Sequence, residues 1–388
     1  MQVTVVGAGL TGLMTAYCLV NRGVSVTLLE SRSSPCQGAS YSCSGLLGED
    51  NPKLIASEKT SLLGSRASIV YGAGLVFKHP RFSRLMQKAR HPDRRSAIAT
   101  LATTLSSYAD EWYRQTAERE GWKLQESRGT LLILGKDSDK APLQDWLTTE
   151  PSLYALPAST RIGTSSAISW SISYFAKQLK ERLLSRGVTI LNNTPAEGLV
   201  LENDVCRGVR SAAGTDIRAD AVVVAAGMGA MALLRSAGIK PPMLPLTRCV
   251  LNTTIFSDAM RIHHAIIDEL GYMLTPLQDF LRIQGRWYLG TEAEFDREAE
   301  YRALWERGMR IFPDIADWKN ARYFSQTVLT TPDSLGIVGA SPIGGLWLNI
   351  AGGLHGADFA PSYAETLTLS MTGETSPLAA ELSLKRFD

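Results

Sequence analysis

The first thirty residues contain a strand, a glycine-rich turn, a helix and a second strand in close succession. Val3 to Val6 form a short apolar strand that runs into the turn Gly7-Ala-Gly9-Leu-Thr-Gly12. In this pattern the first glycine allows a tight turn, the second lets the backbone approach a pyrophosphate, and the third lets the helix pack on the strand. The spacing therefore predicts a βαβ unit that binds a dinucleotide.

The residues on either side of this helix fit the same ligand. Leu10 and Thr11 open the helix, where backbone N–H groups and the positive end of the helix dipole face bound phosphates. Glu30 ends the second strand, at about the 20-residue offset expected of a carboxylate that binds ribose hydroxyls. Ser31 and Arg32 follow it and are predicted to contact the nucleotide as well.

Composition excludes several other classes of protein. Glycines and the early Asn21-Arg22-Gly23 interrupt the apolar N-terminus, so it is expected to be neither a signal peptide nor a membrane span. A net charge of +2 gives no argument for nucleic acid. Five cysteines without a C-x-x-C motif predict neither a disulfide framework nor a metal site. We therefore expect a cytoplasmic protein, with peripheral contact to a membrane left open.

Length and the order of patterns predict an α/β protein in which two units are interleaved. The chain has 388 residues, more than the ~250–300 at which single hydrophobic cores stop growing. We assign residues 1–77, 150–240 and 331–388 to a Rossmann-type nucleotide-binding domain, and residues 78–149 and 241–330 to an antiparallel-sheet α+β substrate domain.

Hydrophobic periodicity predicts the main elements of both units. Residues 78–121 are mostly helical, with apolar side chains at intervals of three and four, and a second helix covers Ser171–Ser185. The run Ala221–Gly227 is typical of a strand covered on both faces, and Gly356–Met371 is predicted to be helical. Strands of the substrate domain are predicted at Val250–Ile255, Gly271–Thr275, Phe280–Ile283 and Trp287–Gly290.

Further motifs follow the N-terminal fingerprint in an order that spans nearly the whole chain. They are Ala39–Gly45, Thr194–Gly198, Val222–Gly227, Thr331–Gly339 and Leu348–Gly356. Together they resemble the D-amino-acid oxidase and dehydrogenase superfamily of flavoproteins, with its glycine-oxidase and sarcosine-oxidase relatives. In that family, similar segments lie beside the flavin, the adenine, the diphosphate and the flavin ring, in this order.

The resemblance implies FAD as the cofactor and extends the set of residues that bind it. No cysteine follows Cys249, so the family's covalent flavin attachment lacks its residue and the FAD is expected to be noncovalent. No metal is expected. The predicted cofactor-binding residues are Gly7, Gly9, Leu10, Thr11, Gly12, Glu30, Ser31, Arg32, Ser40, Gly45, Ala196, Ala226, Gly227, Gly352, Gly353 and Gly356.

The resemblance also implies a reaction. A hydride passes from the carbon next to an amine to N5 of the flavin, and the resulting imine hydrolyses; the substrate is an amine or amino acid. The electron acceptor, whether O2, a quinone or a partner subunit, stays open. The alternative is a flavoprotein subunit of a hetero-oligomeric dehydrogenase, with a role mainly in electron transfer or assembly.

One departure from the family concerns the arginine that holds the substrate carboxylate shortly before the Pro-Asp motif. Here residues 325–331 read Ser-Gln-Thr-Val-Leu-Thr-Thr, and uncharged side chains do not replace a bidentate guanidinium. Free D-amino acids are therefore expected to be poorer substrates than amines whose carboxylate is masked or absent, unless another arginine takes the role. The candidate catalytic residues are Arg248 and Arg282 as replacements, Tyr272 as the family's active-site tyrosine, and His355 beside the flavin.

Overall fold

A computed structural model describes most of the chain. The described residues are 1–43, 45–47, 60–61, 69–71, 74–126, 129–134, 161–165, 168–256, 265–268, 271–277 and 280–388. Within them the helices are α1 Leu10–Val20, α2 Gly74–Lys78, α3 Pro80–Ala89, α4 Pro92–Glu120, α5 Ile172–Ser185, α6 Ala230–Ser236, α7 Arg297–Ile311, α8 Ala360–Met371 and α9 Ala379–Leu382. The strands are β1 Gln2–Val6, β2 Ser25–Leu29, β3 Gly45–Leu47, β4 Thr60–Ser61, β5 Ile69–Val70, β6 Thr130–Leu134, β7 Arg161–Ser165, β8 Ile168–Trp170, β9 Thr189–Leu191, β10 Ala196–Glu202, β11 Val205–Ser211, β12 Asp216–Arg218, β13 Ala221–Val224, β14 Leu244–Thr254, β15 Ala265–Ile267, β16 Met273–Leu277, β17 Phe280–Gln284, β18 Trp287–Leu289, β19 Arg322–Thr330, β20 Ile337–Ala340 and β21 Leu346–Ile350.

A six-stranded sheet in the order β20-β21-β13-β1-β2-β9 forms the centre of the nucleotide-binding unit. Its strands are parallel except for β20, which pairs antiparallel with β21. Helices α1, α5 and α8 cover one face, while α6 and the small sheet β10-β11-β12 cover the other. Because both faces are covered, β1 is buried from Val3 to Val6, and β13 is a continuous apolar run of the kind typical of a buried parallel sheet.

The second unit is built on a larger and mainly antiparallel sheet. Its strands follow the order β4-β5-β18-β14-β17-β16-β15-β6-β7, and β19 also pairs with β14. Alternate residues of a strand point to opposite faces, so Cys249 and Leu251 pack against Leu304 of α7. The opposite face carries Arg248 and is turned toward the nucleotide-binding unit.

The structure confirms the predicted mixed α/β fold and changes how some segments are distributed. Helix α4, placed with the substrate domain from sequence, packs in the same core as α1. Its Leu105 carbonyl accepts a hydrogen bond from Ser362 in α8, with an O···O distance of 2.8 Å. Short strands β4, β5 and β7 join the larger sheet although their sequence positions lie in the predicted nucleotide-binding segments.

Two element boundaries also differ from the prediction. Strand β14 begins at Leu244, six residues before the predicted start at Val250. Helix α8 begins at Ala360, because Gly353–His355 form a separate 3-10 turn and Pro361 occupies the first turn of the helix, where its missing N–H costs nothing.

Candidate active site

A cavity of about 800 Å³ lies between the two units. It is at the carboxyl ends of β1 and β2, the edge where open α/β sheets bind their ligands. The larger sheet closes its other side with residues of β14, β18 and β19. The predicted cofactor residues that line it are Gly7, Gly9, Leu10, Thr11, Glu30, Ser31, Arg32, Ser40, Ala196, Ala226, Gly227, Gly352, Gly353 and Gly356.

The glycine turn after β1 has the geometry that its sequence predicts. Gly7 has a φ of +102°, and a Cβ there would lie 2.5 Å from the Ala225 carbonyl oxygen. Gly9 caps helix α1 without a side-chain hydrogen bond, and the Leu10 N–H donates to Ser40 Oγ at 3.0 Å. Because no side chain projects from Gly7 or Gly9, the backbone at the helix N-terminus is open to an anion.

Two predicted cofactor residues are absent from the described lining of this cavity. Gly12 lies in the first turn of α1, where a Cβ would sit 1.8 Å from the Gly7 carbonyl oxygen, so its role is close packing of helix on turn. Gly45 lies in β3 and pairs with Trp170 of β8. For these two residues the structure supports a role in packing and pairing.

Glu30 presents a buried carboxylate at the end of β2. It is 8% exposed, and its two oxygens accept the N–H groups of Ala8 at 3.0 Å and Arg32 at 2.9 Å. These bonds fix the carboxylate at the edge of the cavity and tie the glycine turn to the segment after β2. This carboxylate suits a ribose, because an ionised carboxylate can accept further hydrogen bonds from hydroxyl groups.

The C-terminal glycine segment forms the part of the cavity nearest β19. Gly353 has a φ of +58°, and a Cβ there would lie 3.0 Å from Thr330 Oγ1. The preceding Pro-Asp motif is a locked turn: Asp333 accepts hydrogen bonds from Thr331 Oγ1 at 2.8 Å and from Arg386 Nε at 2.9 Å. Asp333 therefore holds the turn between β19 and β20.

Arg248 is the predicted catalytic residue that reaches the cavity. It lies on β14 directly opposite Gln326 of β19, and its Nε–H donates to Gln326 Oε1 at 2.7 Å. Its guanidinium carbon lies 4.2 Å from the centre of the Trp287 ring. Arg248, Trp287 and Gln326 all line the cavity. The Arg248 guanidinium therefore lies on the strand next to residues 325–331, the segment in which the family's carboxylate-binding arginine is missing.

Arg282 occupies a different place. Its Nη1 donates to the carbonyl oxygens of Tyr41 at 2.8 Å and Cys43 at 3.3 Å, so it lies behind the loop that carries Ser40. Burial lowers the pKa of Arg282 to about 10. The described lining of the cavity does not include it. These contacts indicate that Arg282 positions the loop, and a carboxylate-binding role for it stays a prediction.

Tyr272 and His355 are likewise absent from the described lining. The Tyr272 hydroxyl donates to Glu300 Oε2 at 3.0 Å beneath α7, and burial raises its pKa to about 12. His355 stacks on Phe359 at 4.6 Å, and its Nδ1 lies 3.5 Å from Asp358 Oδ2. Tyr272 packs in the core between the larger sheet and α7, and His355 is buried against Phe359, so a catalytic role for either residue stays a prediction.

The site also contains residues that sequence reasoning missed. Trp287 lies under the Arg248 guanidinium, and Gln326 joins Arg248 to the loop that carries Ser40. Gln326 lies among other uncharged polar residues, so nothing local singles it out, and its partner depends on strand register. No local pattern pairs β14 with β19 across seventy residues.

The residues at the cavity fit FAD, because they combine a side-chain-free glycine turn at a helix N-terminus with a buried carboxylate at the ribose position. A family model described as FAD dependent oxidoreductase (DAO) matches residues 2–369. The chain belongs to this family. It is therefore an FAD-dependent enzyme, as its motifs predict.

Curated relatives cover the full length of the chain. A D-amino acid dehydrogenase of Paramagnetospirillum magneticum is 23% identical over 420 residues, covering 100% of this chain and 99% of the relative. D-amino acid dehydrogenase 2 of Ralstonia nicotianae is 27% identical over 431 residues, with 98% of each chain covered.

Solved structures share the fold. L-proline dehydrogenase from P. horikoshii superposes with a TM-score of 0.72 at 18% identity, covering 100% of this chain and 97% of that one. Glycine oxidase from Geobacillus kaustophilus gives a TM-score of 0.70 at 18% identity, covering 99% and 98%. Within the described residues, every helix is too short or too polar to cross a lipid bilayer.

Proposed function

We propose that this enzyme oxidises the C–N bond of an α-amino acid whose carboxylate is free. The observation that supports this is the position of Arg248, which lines the same cavity as the glycine segments and Glu30. The second cation among the described lining residues, Arg32, belongs to the Glu30 end, where its backbone N–H binds that carboxylate. A substrate carboxylate at Arg248 would therefore lie at the opposite end from the ribose position.

Bound FAD supplies the acceptor for the two electrons and the hydride that leave the substrate carbon. The chain's own residues supply orientation. Arg248 would fix the carboxylate, while Trp287 holds the guanidinium plane from below. Fixing the substrate at one end turns the reaction into a step between positioned groups, which lowers the entropic part of its barrier. A substrate that arrives with a neutral amine needs no side-chain base.

The names of these relatives are consistent with substrates that share a carboxylate. They include D-amino acid dehydrogenases, an L-proline dehydrogenase and glycine oxidases. Their substrates, as named, differ in chirality and size but are all amino acids. We therefore propose the α-amino carboxylate as the recognised unit and leave chirality to the experiment.

The test is anaerobic reduction of the flavin by matched pairs of substrates. D- and L-amino acids and their amides are mixed with the purified protein, and bleaching of the flavin absorbance is followed by stopped flow. We expect the free acid to be the faster reductant at subsaturating concentration. Arg248→Met should slow the acid by roughly 10- to 150-fold, the loss of a charge-assisted hydrogen bond, and leave the amide nearly unchanged.

Arg32→Met is the matched control, since it removes a cation from the other end of the cavity. It should leave the ratio of acid to amide unchanged. A faster amide would instead favour a substrate with a masked carboxylate. Failure of every amine and amino acid to bleach the flavin would favour the alternative, a flavoprotein subunit with an electron-transfer or assembly role.

A further inference from the structure

Gln326 contacts both ends of the site through one side-chain amide. Its Oε1 accepts the Nε–H of Arg248 at 2.7 Å, and its Nε2 donates to the carbonyl oxygen of Ala39 at 2.9 Å. The side chain is 3% exposed, so water does not compete for either bond. Both hydrogen bonds are therefore shielded from solvent inside the site.

The chemistry of the two partners fixes the orientation of this amide. Arginine only donates hydrogen bonds and a backbone carbonyl only accepts them, so the reversed amide would satisfy neither. Burial raises the pKa of the neighbouring Cys43 thiol to about 11, so no thiolate competes for the amide at neutral pH. Gln326 therefore fits its position through one oxygen and one nitrogen, which a carboxylate or an apolar side chain does not supply.

The Ala39 contact continues to the N-terminus of α1, where the nucleotide is predicted to bind. Ser40 follows Ala39, and its Oγ accepts the N–H of Leu10 at the start of α1. A chain of hydrogen bonds and one peptide link thus runs from Arg248 through Gln326, Ala39 and Ser40 to the helix N-terminus.

We propose that Gln326 is a positioning residue that couples the carboxylate end of the site to the FAD end. It orients Arg248 for the substrate and at the same time holds the Ala39–Ser40 segment for the cofactor. This inference rests on the proposed function, in that it takes Arg248 as the carboxylate contact. It adds that anion binding at Arg248 and retention of FAD depend on the same amide.

Gln284 offers a matched comparison on the neighbouring strand β17. Its Nε2 donates to the carbonyl oxygen of Ser42 at 2.8 Å, so it holds the same loop, and it is fully buried like Gln326. Its cross-strand partner in β14 is Val250, whereas the partner of Gln326 is Arg248. Substitution of Gln284 therefore disturbs the loop without removing the Arg248 contact.

The experiment measures binding of sodium propionate to the FAD-loaded protein by the shift it causes in flavin absorbance. Propionate carries the carboxylate but no amine, so the readout is independent of turnover. Gln326→Glu replaces the donor to Ala39 with a carboxylate oxygen and places a negative charge on Arg248. We expect the Kd of propionate to rise by about tenfold or more. The Kd of FAD, from titration of the apoprotein, should rise in the same variant.

Gln284→Glu should raise the Kd of FAD while leaving the Kd of propionate within about twofold of wild type. Gln326→Met removes both bonds without adding charge, and it serves as the second variant if Gln326→Glu does not retain FAD. It should also raise the Kd of propionate. Unchanged propionate binding in either FAD-loaded Gln326 variant overturns the inference, as does a wild type that binds no propionate. Failure of amino acids to reduce a protein that binds propionate normally would instead refute the proposed function alone.

Discussion

Arg282 Nη1 donates a hydrogen bond to the carbonyl oxygen of Tyr41 at 2.8 Å, across 241 positions of sequence. The same guanidinium binds the Asn252 side chain through Nε at 3.0 Å. Burial lowers the pKa of Arg282 to about 10, yet it stays protonated at neutral pH and keeps all its donors. Through Arg282 the larger sheet holds the loop on which Ser40 reaches the helix N-terminus.

Arg282→Met should therefore weaken the loop and leave the substrate preference unchanged. Loss of hydrogen bonds from a charged donor should cost about 1.5–3 kcal/mol of unfolding free energy, measured by urea denaturation of the apoprotein. Retention of FAD should fall with it. Arg248→Met provides the comparison, because it should change the ratio of acid to amide. An Arg282→Met variant of full stability with an altered ratio would show that Arg282 contacts the substrate.

Gly7 and Gly9 should respond differently to substitution although both belong to the fingerprint. A Cβ at Gly7 would meet the Ala225 carbonyl oxygen at 2.5 Å, and φ is positive, so Gly7→Ala should destabilise the apoprotein and abolish FAD binding. A Cβ at Gly9 meets only Ser40 Oγ, at 3.4 Å. Gly9→Val should therefore lose FAD while the apoprotein keeps its melting temperature within a few degrees. Full FAD content in Gly9→Val would contradict a pyrophosphate beside Gly9.

The nucleotide-binding unit was predictable because its signals are local. Strand, turn and helix follow one another within thirty residues, and Gly7, Gly12 and Glu30 each have a role that sequence spacing fixes. The covered strand β13 was visible for the same reason, since an unbroken apolar run requires two covered faces.

The substrate end was less predictable because its geometry depends on strand register. Strand β19 was not predicted, because polar side chains interrupt the apolar pattern that would mark a strand. Its burial in the structure is correspondingly irregular. Arg248 and Arg282 look alike in sequence, yet one lines the cavity and the other lies behind a loop. Tyr272 directly precedes β16, and its contact with Glu300 shows that it packs inside.

Glu30→Ala should weaken FAD and also loosen the glycine turn. The carboxylate accepts the N–H groups of Ala8 and Arg32, so its removal leaves these two backbone donors unpaired in addition to the loss of the predicted ribose contact. We expect an FAD affinity lower by about 1.5–3 kcal/mol in a titration of the apoprotein. Thr27→Ala, on the same strand, is a control that should keep its affinity. Unchanged affinity in Glu30→Ala would assign the carboxylate to the turn alone.

The cysteines provide a test of burial that depends on pH. Burial raises the pKa of Cys43 to about 11 and those of Cys36 and Cys249 to about 12, from an ordinary value of 9.0. A thiol reagent that needs the thiolate should therefore find almost no reactive group in the native protein at about pH 8, and five after denaturation.

Above pH 9 the unfolded thiols ionise while the folded ones stay protonated, so the folded state binds more protons. Its stability should accordingly fall as pH rises from 9 toward about 11, the folded pKa of Cys43. Cys43 lines the cavity, so it should be the first to react, and faster without FAD than with it. Rapid modification of one thiol in the FAD-loaded protein at neutral pH, abolished by Cys43→Ser, would contradict the raised pKa of this thiol.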